Sequence, residues 1–170
     1  DGETARIASQ AALTGHLVLS SIHANDAVGV LLRLADLGIE PFLIVSSLVG
    51  VAAQRMVRRV CTYCAVECEP SVEEQGAYEA EMGEPLDVMK RGAGCNMCAN
   101  TGFLGRIAVF ELLMMNDETR KQLLAGATAA AIRAQAIDDG MVPMRRDGML
   151  KAKQGIVTPA EILRSVYSIN

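Results

Sequence analysis

The 170-residue chain contains no tryptophan, three tyrosines and three phenylalanines, and its formal net charge is −4. Binding of nucleic acids requires stripes of basic residues and usually aromatic side chains on which bases stack. The composition therefore argues against a nucleic-acid surface. The basic cluster Arg55, Arg58 and Arg59 is compatible with a solvated strand end, or with a contact to an anion or a neighbouring subunit.

Long hydrophobic runs are also missing. The longest, residues 41–53, is interrupted by Ser46, Ser47 and Gly50 and is shorter than the roughly 20 residues that cross a bilayer. We expect this run to form a buried helix. No secretory signal opens the chain, so there is little reason to expect an oxidising compartment that favours disulfides.

The chain starts without a methionine. Asp1 and Glu3, followed by alanines at helical spacing, have the character of a helix N-terminus, and Gly15 is placed to end that helix. A chain that opens directly on a helix cap is expected to be a piece of a longer protein. With 51% apolar residues it can form one medium globular domain, or a domain piece with a small appendage.

Four of the five cysteines form two Cys-x-x-Cys pairs, Cys61 with Cys64 and Cys95 with Cys98. Two thiolates separated by two residues can turn toward one centre, and Zn²⁺ takes four such ligands at about 2.3 Å. Disulfides and a thioredoxin-like redox motif are the rival interpretations. The gap between the pairs exceeds the spacing of about 15 to 20 residues in compact zinc ribbons. We favour a structural zinc site.

The segment between the pairs, residues 66–94, is acidic and poor in large apolar residues, so we expect that it cannot fold alone. A structural zinc site supplies on the order of 10 kcal/mol or more to folding, which would offset the entropy of closing the loop. Chelation should therefore loosen this region. Cys68 is interpreted as a spare thiol close to the metal loop, with an alternative ligand as the less favoured interpretation.

Residues 17–22 form a nearly continuous apolar run, typical of a strand buried on both faces in a parallel α/β sheet. His16 precedes this run, and His23 follows it at the carboxyl end, where open α/β sheets place their ligands. Asn25 or Asp26 is predicted to cap a helix over residues 27–37. A histidine beside a helix N-terminus can receive a phosphate oxygen or can be a hydrogen-bonded core residue, and both interpretations stay open.

The rest of the chain indicates packing and support. Residues 106–113 have the β-rich character of a strand that returns from the cysteine pairs. Helices are predicted after Asn116 or Asp117, after Thr128 and from Thr158. The methionines at positions 141, 144 and 149 are interpreted as core filler in preference to a binding groove.

Several of these segments resemble one family, the secretion ATPases that drive type II secretion and type IV pilus assembly. Residues 14–27 resemble its histidine box, and residues 1–5 resemble the tail of its Walker B neighbourhood. Residues 54–61 are similar to the family's segment that leads into its tetracysteine zinc motif. The return from that motif, and the family's C-terminal helical segment, are matched by residues 94–98, 101–106, 111–113 and 144–158.

The resemblance implies an α/β fold: the C-terminal portion of a RecA-like P-loop NTPase domain with an inserted zinc-binding subdomain and a helical C-terminal region. The expected boundaries are 1–60 for the ATPase core, 61–98 for the tetracysteine subdomain and 99–170 for the return strand and helices. In this picture His23 senses the γ-phosphate and His16 belongs to the same box with a less defined role. Ser21 stands where many relatives carry threonine, and Ala24 stands where threonine is frequent.

The resemblance also implies the setting of the full-length protein. It would be a cytoplasmic homo-hexamer that hydrolyses ATP with Mg²⁺ and pushes an inner-membrane platform protein, peripheral to the membrane through its partners. Secretion, pilus extension and DNA uptake use the same motor logic, whereas retraction motors generally lack the cysteine excursion. No nucleic-acid partner is expected.

The chain departs from the family pattern in one respect. A P-loop requires Gly-x-x-x-x-Gly-Lys-Ser/Thr, and the sequence has no Gly-Lys pair and no acidic residue ending an apolar strand as in Walker B. By itself the chain is expected neither to bind ATP tightly nor to hydrolyse it. The alternative function is a zinc-finger module that binds nucleic acid or protein, since residues 95–102 loosely resemble glycine-flanked zinc-finger pairs.

Overall fold

A computed structural model describes residues 1–166. These residues form two compact units, one built from residues 1–53 and 111–142, the other from residues 54–110 and from residue 143 onward. Within them lie eight α-helices: α1 Gly2–Leu13, α2 Ala27–Asp36, α3 Pro41–Ser47, α4 Val72–Met82, α5 Asp117–Leu124, α6 Ala129–Asp138, α7 Met144–Lys153 and α8 Pro159–Ser165. The four strands are β1 Gly50–Val60, β2 Ala65–Cys68, β3 Met89–Gly92 and β4 Phe103–Met114, with a 3₁₀ turn at Asn96–Cys98.

Strands β1 and β4 pair with each other, and β2 pairs antiparallel with β3. The β2–β3 register places Ala65 opposite Gly92 and Cys68 opposite Met89. None of the helices in residues 1–166 has the length and apolarity needed to cross a membrane. The segment boundaries 1–60, 61–98 and 99–170 stay predictions, and the end of the last segment, residues 167–170, lies outside the described residues.

The first unit is helical around an apolar core. The predicted caps are confirmed, because Asp1, Asp26, Asn116 and Thr128 each accept a hydrogen bond from a backbone N–H of the helix that follows. Gly15 and Gly38 follow their helices with positive φ, as expected of residues that end helices. The core packs α2, α3, α5 and α6 around the buried residues Ala27, Val28, Leu31, Ile39, Ile44, Val45, Leu113, Met115, Leu123, Ile132, Ala136 and Met141.

The expectation of a buried strand at residues 17–22 is wrong. These residues have no regular secondary structure, and the side chains of Leu17 and Leu19 are 84% and 88% exposed. A strand needs hydrogen-bonding neighbours. Among residues 1–166 the four strands pair only with one another, so no strand lies beside this segment to satisfy its backbone.

The expectation of one buried helix over residues 41–53 is also wrong in its second half. The helix α3 ends at Ser47, and the chain turns extended at Leu48 and enters β1 at Gly50. Val49 accepts a hydrogen bond from the N–H of Met115, which starts the pairing with β4. Val49 and Val51 are β-branched, which favours a strand over a helix, and β4 pairs with the strand that they begin.

The second unit contains the β2–β3 hairpin and a packed set of helices, α4, α7 and α8. The predicted return strand is confirmed as β4, and the helix at Thr158 is confirmed as α8. Met141, Met144 and Met149 are all buried, as expected of core filler. The acidic segment 66–94 is structured, and its residues Tyr78, Leu86 and Met89 are buried. They contribute to a core that cannot be recognised from any short stretch of the sequence.

Candidate metal centre and histidine segment

The four paired cysteines occupy two turns of the second unit. Cys61 directly follows β1, and Cys64 closes the first turn by donating its N–H to the carbonyl of Cys61. Cys95 and Cys98 bracket the 3₁₀ turn that precedes β4. The N–H of Cys61 donates to the carbonyl of Gly102, so the two turns are tied together through the backbone beside the sulfurs.

The four sulfurs converge on one point. All four Sγ atoms lie within 4.8 Å of one another. The distances Cys61–Cys95 and Cys64–Cys98 are both 3.9 Å, and Cys95–Cys98 is 3.7 Å. Tetrahedral coordination at about 2.3 Å places sulfur atoms about 3.8 Å apart. All five cysteines are free thiols, and Cys61 and Cys98 are buried. The arrangement therefore fits a four-thiolate metal site, and the predicted convergence of the two pairs is confirmed.

Backbone amides surround the sulfur of Cys98. The N–H groups of Cys95 and Gly102 both donate to it over 3.3 Å. The turn that delivers them is unusual, because Ala99 and Asn100 adopt the left-handed conformation, with φ of 49° and 60°. Such N–H donors stabilise a thiolate, which is the form that binds metal.

The metal-free thiols differ in acidity. Burial raises the pKa of Cys98, but hydrogen bonds from the amides of Cys95 and Gly102 outweigh this effect and lower the pKa to about 6. Burial raises the pKa of Cys64 to about 12, and hydrogen bonds with the other three cysteines act in the same direction. Cys98 is thus the more acidic of these two thiols, and a bound cation would favour the thiolate form of both.

Two glycines let the backbone cross beside this centre. A Cβ atom built on Gly92 would lie 2.0 Å from the carbonyl oxygen of Gly102, and one built on Gly102 would lie 2.5 Å from that of Gly92. Gly102 also has a φ of +75°. The crossing brings the end of β3 against the start of β4 and holds the Gly102 carbonyl that receives Cys61. The sequence analysis missed this pair, since nothing in the sequence shows that the two glycines meet.

The centre has no open coordination position in a four-thiolate arrangement, so a bound ion would be structural. A tetrahedral set of four sulfurs is typical of zinc or of iron–sulfur sites. Cys68 does not belong to the group of four; it lies on β2 and is half-buried, in agreement with its interpretation as a spare thiol.

The two predicted histidines lie in the first unit, and within residues 1–166 neither belongs to a group of side chains that could hold a metal. Both are exposed, on the segment that joins α1 to α2. His16 Nδ1 lies 3.0 Å from the hydroxyl of Thr14. His23 stands four residues before Ala27, the first residue of α2. The hypothesis that His23 is a hydrogen-bonded core residue is not supported, because its side chain faces solvent.

A charged network that the sequence analysis missed holds the N-terminus of α2. Glu111 Oε1 accepts a buried hydrogen bond from the N–H of Ala27 over 2.9 Å. Arg133 on α6 pairs with Asp26 at 2.8 Å and lies 3.8 Å from Glu111. A signal existed in the sequence, because Glu111 falls between Val109 and Leu113 on the inward face of a predicted strand, where an acidic residue needs a partner.

A second buried carboxylate, Glu161, lies in the other unit at the start of α8. It accepts hydrogen bonds from the backbone and side chain of Arg58 and from the side chain of Arg164. Burial raises the pKa of Glu161, but these hydrogen bonds outweigh it and lower the pKa to about 2. The Arg58 guanidinium also lies 4.1 Å from the centre of the Phe103 ring. Arg58 is thus more than the solvated strand end considered from the sequence.

Almost the whole chain matches known proteins. Residues 1–164 match the family model described as type II/IV secretion system protein. The chain is 46% identical over 166 residues to a type IV pilus assembly ATPase PilB from Thermus thermophilus, and 43% identical over 164 residues to a type II secretion system ATPase E from Vibrio cholerae. Each match covers 96% of this chain, but only 18% and 32% of the respective relative.

A solved structure shows the same fold. The pilus retraction motor PilT with bound ADP matches 96% of this chain and 36% of its own chain, with a TM-score of 0.62 and 19% sequence identity. This likeness confirms the predicted α/β class of the fold. Because the chain spans about a fifth to a third of the curated relatives it matches, it corresponds to one segment of such proteins. The chain belongs to the type II/IV secretion system protein family, as its histidine and cysteine segments indicated.

Proposed function

We propose that this chain is part of a cytoplasmic hexameric motor that couples ATP hydrolysis to type II protein secretion or to type IV pilus assembly. The observation that carries the proposal is the family match over residues 1–164, with relatives named as ATPases of both systems. The partners would be secretion or pilus components, including an inner-membrane platform protein. Membrane association would then come from these contacts.

The nucleotide chemistry is proposed for the full-length protein. This chain has no Gly-Lys pair, so the loop that binds the phosphates, and the groups that hold Mg²⁺, would come from the part of the protein outside it. When bound, ATP and Mg²⁺ supply the transferable phosphoryl group and the neutralising charge. The chain would contribute His23, with a secondary and less defined role for His16.

The proposed role of His23 rests on exposure and location. Its side chain is exposed, and it precedes the N-terminus of the ten-residue helix α2 by four residues. An imidazole N–H can donate a hydrogen bond to a phosphate oxygen, and such donors stabilise the charge that spreads over the phosphoryl oxygens during transfer. A group used in this way affects turnover more than nucleotide binding.

The test is His23→Ala in the full-length protein. We expect kcat for ATP hydrolysis to fall at least about tenfold, because a donor to the developing charge is lost, while the Kd for ATP stays within about threefold. His23→Gln, which keeps an N–H donor, should retain more activity than His23→Ala. Unchanged turnover in His23→Ala would remove His23 from the site.

We further propose that Cys61, Cys64, Cys95 and Cys98 hold one structural Zn²⁺. The supporting geometry is the mutual closeness of the four sulfurs and the amides donated to Cys98. The ion would stabilise the cysteine turns and the surface they present to partners, without entering the reaction, because four thiolates leave no position for water.

Elemental analysis of Cys61→Ser tests the zinc proposal. Wild-type protein purified under reducing conditions should contain about one zinc per chain, and Cys61→Ser should lose most of it together with stability and assembly. Cys68→Ser is the matched control and should keep its zinc, since Cys68 lies outside the group of four. Iron in place of zinc, or no metal, would contradict the proposal.

The alternative function, a zinc-finger module, has less support. Family membership accounts for almost the whole chain, whereas the zinc-finger resemblance is limited to residues 95–102. A DNA-binding assay over a range of salt concentrations separates the two functions, because phosphate contacts weaken steeply with salt. Tight, salt-sensitive binding would favour the zinc-finger module over the motor.

A further inference from the structure

We propose that Arg133 is a positioning residue, which acts through Asp26 and Glu111 to hold the histidine turn, residues 23–26, in the shape that turnover requires. The inference rests on the proposed role of His23. Arg133 lies on α6, far along the sequence from the histidine turn, and would affect turnover only by positioning that turn. The structural basis is the charged network at the N-terminus of α2, which lies entirely within the first unit.

Each member of the network has a defined contact. Arg133 Nη2 lies 2.8 Å from Asp26 Oδ2, and Arg133 Nη1 lies 3.8 Å from Glu111 Oε2. The other oxygen of Asp26 accepts the N–H of Gly29 at 2.7 Å, and the other oxygen of Glu111 accepts the N–H of Ala27 at 2.9 Å. Arg133 thus joins two carboxylates, and the second oxygen of each holds the first turn of α2.

The burial of the network makes it more than a surface contact. The side chains of Glu111, Asp26 and Arg133 are 3%, 16% and 27% exposed. The Arg133 guanidinium lies 2.8 Å from Asp26 and 3.8 Å from Glu111, so it offsets part of the cost of burying these two carboxylates. Arg133 also suits the task, because a planar guanidinium can serve two acceptors at once, whereas a lysine ammonium acts as a point charge.

The tether is placed where it can affect His23. Residues 16–24 have no regular secondary structure, so the direction of the histidine turn is set by where its end is attached. That attachment is the pair Asp26 and Ala27, both held by the network. A displacement of about 1 Å at a catalytic group can cost about a hundredfold in rate. Loss of Arg133 should therefore lower turnover without contact between Arg133 and the nucleotide.

The first experiment is steady-state ATP hydrolysis by full-length Arg133→Ala. We expect kcat to fall about tenfold or more, with KM changed less than threefold and the hexamer intact. Arg133→Lys should recover part of the loss. Arg120→Ala is the matched control: Arg120 is a half-buried arginine of the same unit that binds the carbonyl of Val45 and not the histidine turn. It should retain kcat.

A double-mutant cycle with His23→Ala shows whether Arg133 acts through the histidine. If it does, Arg133→Ala should lower kcat less than twofold in the His23→Ala background, because the group that it positions is already gone. Losses that multiply, or an unchanged kcat in the single variant Arg133→Ala, would overturn the inference. Unchanged kcat in the single variant His23→Ala would instead overturn the proposed role of His23, so the two failures are distinguishable.

Hydrogen exchange gives a readout that does not depend on activity. In Arg133→Ala the amide of Ala27, bound to Glu111, should exchange at least tenfold faster, while amides in the middle of α2 keep their protection. Equal acceleration along α2 and α6 would mean general loss of structure and would contradict a positioning role. An unchanged Ala27 amide would show that Glu111 holds the helix without Arg133, and would also overturn the inference.

Discussion

At the scale of single residues, the cysteines and glycines around the candidate metal centre differ in how far the sequence predicts their role. The four candidate ligands are visible in the sequence as two Cys-x-x-Cys pairs, a spacing typical of metal sites. Gly92 and Gly102 are not visible as a pair. Their importance comes from a backbone contact that exists only after β3 and β4 are in place.

Substitution of Gly92 by alanine tests that contact. The new Cβ would lie 2.0 Å from the carbonyl oxygen of Gly102, so the two backbones must separate. We expect a loss of at least about 2 kcal/mol in the free energy of unfolding, together with weaker metal binding, since the same carbonyl accepts the N–H of Cys61. Chemical denaturation and competition with a chelator measure the two effects.

Gly76→Ala is the control for this prediction. Gly76 lies within α4, and a Cβ there would meet nothing within 4 Å. Alanine in a helix interior is favoured over glycine by about 1 kcal/mol, so this variant should be slightly more stable than wild type. A Gly92→Ala variant as stable as Gly76→Ala would show that the glycine crossing is not tight.

At the scale of helices and strands, local sequence signals predicted the features that depend on contacts between residues close in the sequence. The N-cap was predicted correctly at Thr128, and at Asp26 as one of the two alternatives with Asn25, because a cap bonds to an amide only three residues away. The prediction of a strand at residues 17–22 is wrong, because an apolar run favours burial but does not determine whether a neighbouring strand is present. The second half of the run 41–53 became β1 because β4 was available as its partner.

The start of α8 illustrates how one element is attached to another. Glu161 attaches α8 to β1, because it accepts a hydrogen bond from the backbone N–H of Arg58 on β1. It also forms ion pairs with the side chains of Arg58 and Arg164. Its low pKa, about 2 against an ordinary 4.5, means that the folded state favours the ionised form. The corresponding stability is complete above pH 4.5 and is lost as the pH falls from 4.5 toward 2.

Glu161→Gln should therefore cost about 2 kcal/mol of unfolding free energy at pH 7, and this difference from wild type should shrink as the pH falls from 5 to 3. Denaturant titrations at several pH values measure the difference. Glu84→Gln is the control, because the Glu84–Lys153 pair is about half exposed and should contribute far less. A difference for Glu161→Gln that stays constant from pH 5 to pH 3 would contradict the assignment.

At the scale of the whole molecule, the two units should respond differently to loss of metal. The cysteine turns, the β2–β3 hairpin and α4 all belong to the second unit, whereas the histidine segment and the core around α2 belong to the first. Binding energy of a structural ion is folding energy for the elements that surround it. The effect of chelation should therefore follow the division into units.

Hydrogen exchange before and after chelation checks this expectation. Amides of the β2–β3 hairpin and of the turns at Cys64 and Cys98 should exchange much faster without metal, whereas those of α2 and α6 should change less than about threefold. Cys68→Ser protein should behave like wild type in both states. Equal loss of protection in both units would show that the ion supports the whole chain and would contradict the prediction.

The sequence by itself determined the family, the α/β class, the two cysteine pairs that could hold a metal and most helix starts. These are properties of short motifs, because ligand spacing and helix caps act over a few residues. The tertiary structure decided which apolar run became a strand, that Gly92 meets Gly102, and that Arg133 joins Asp26 to Glu111. Such contacts depend on the packing of elements distant in the chain, and no local pattern encodes which of them will meet.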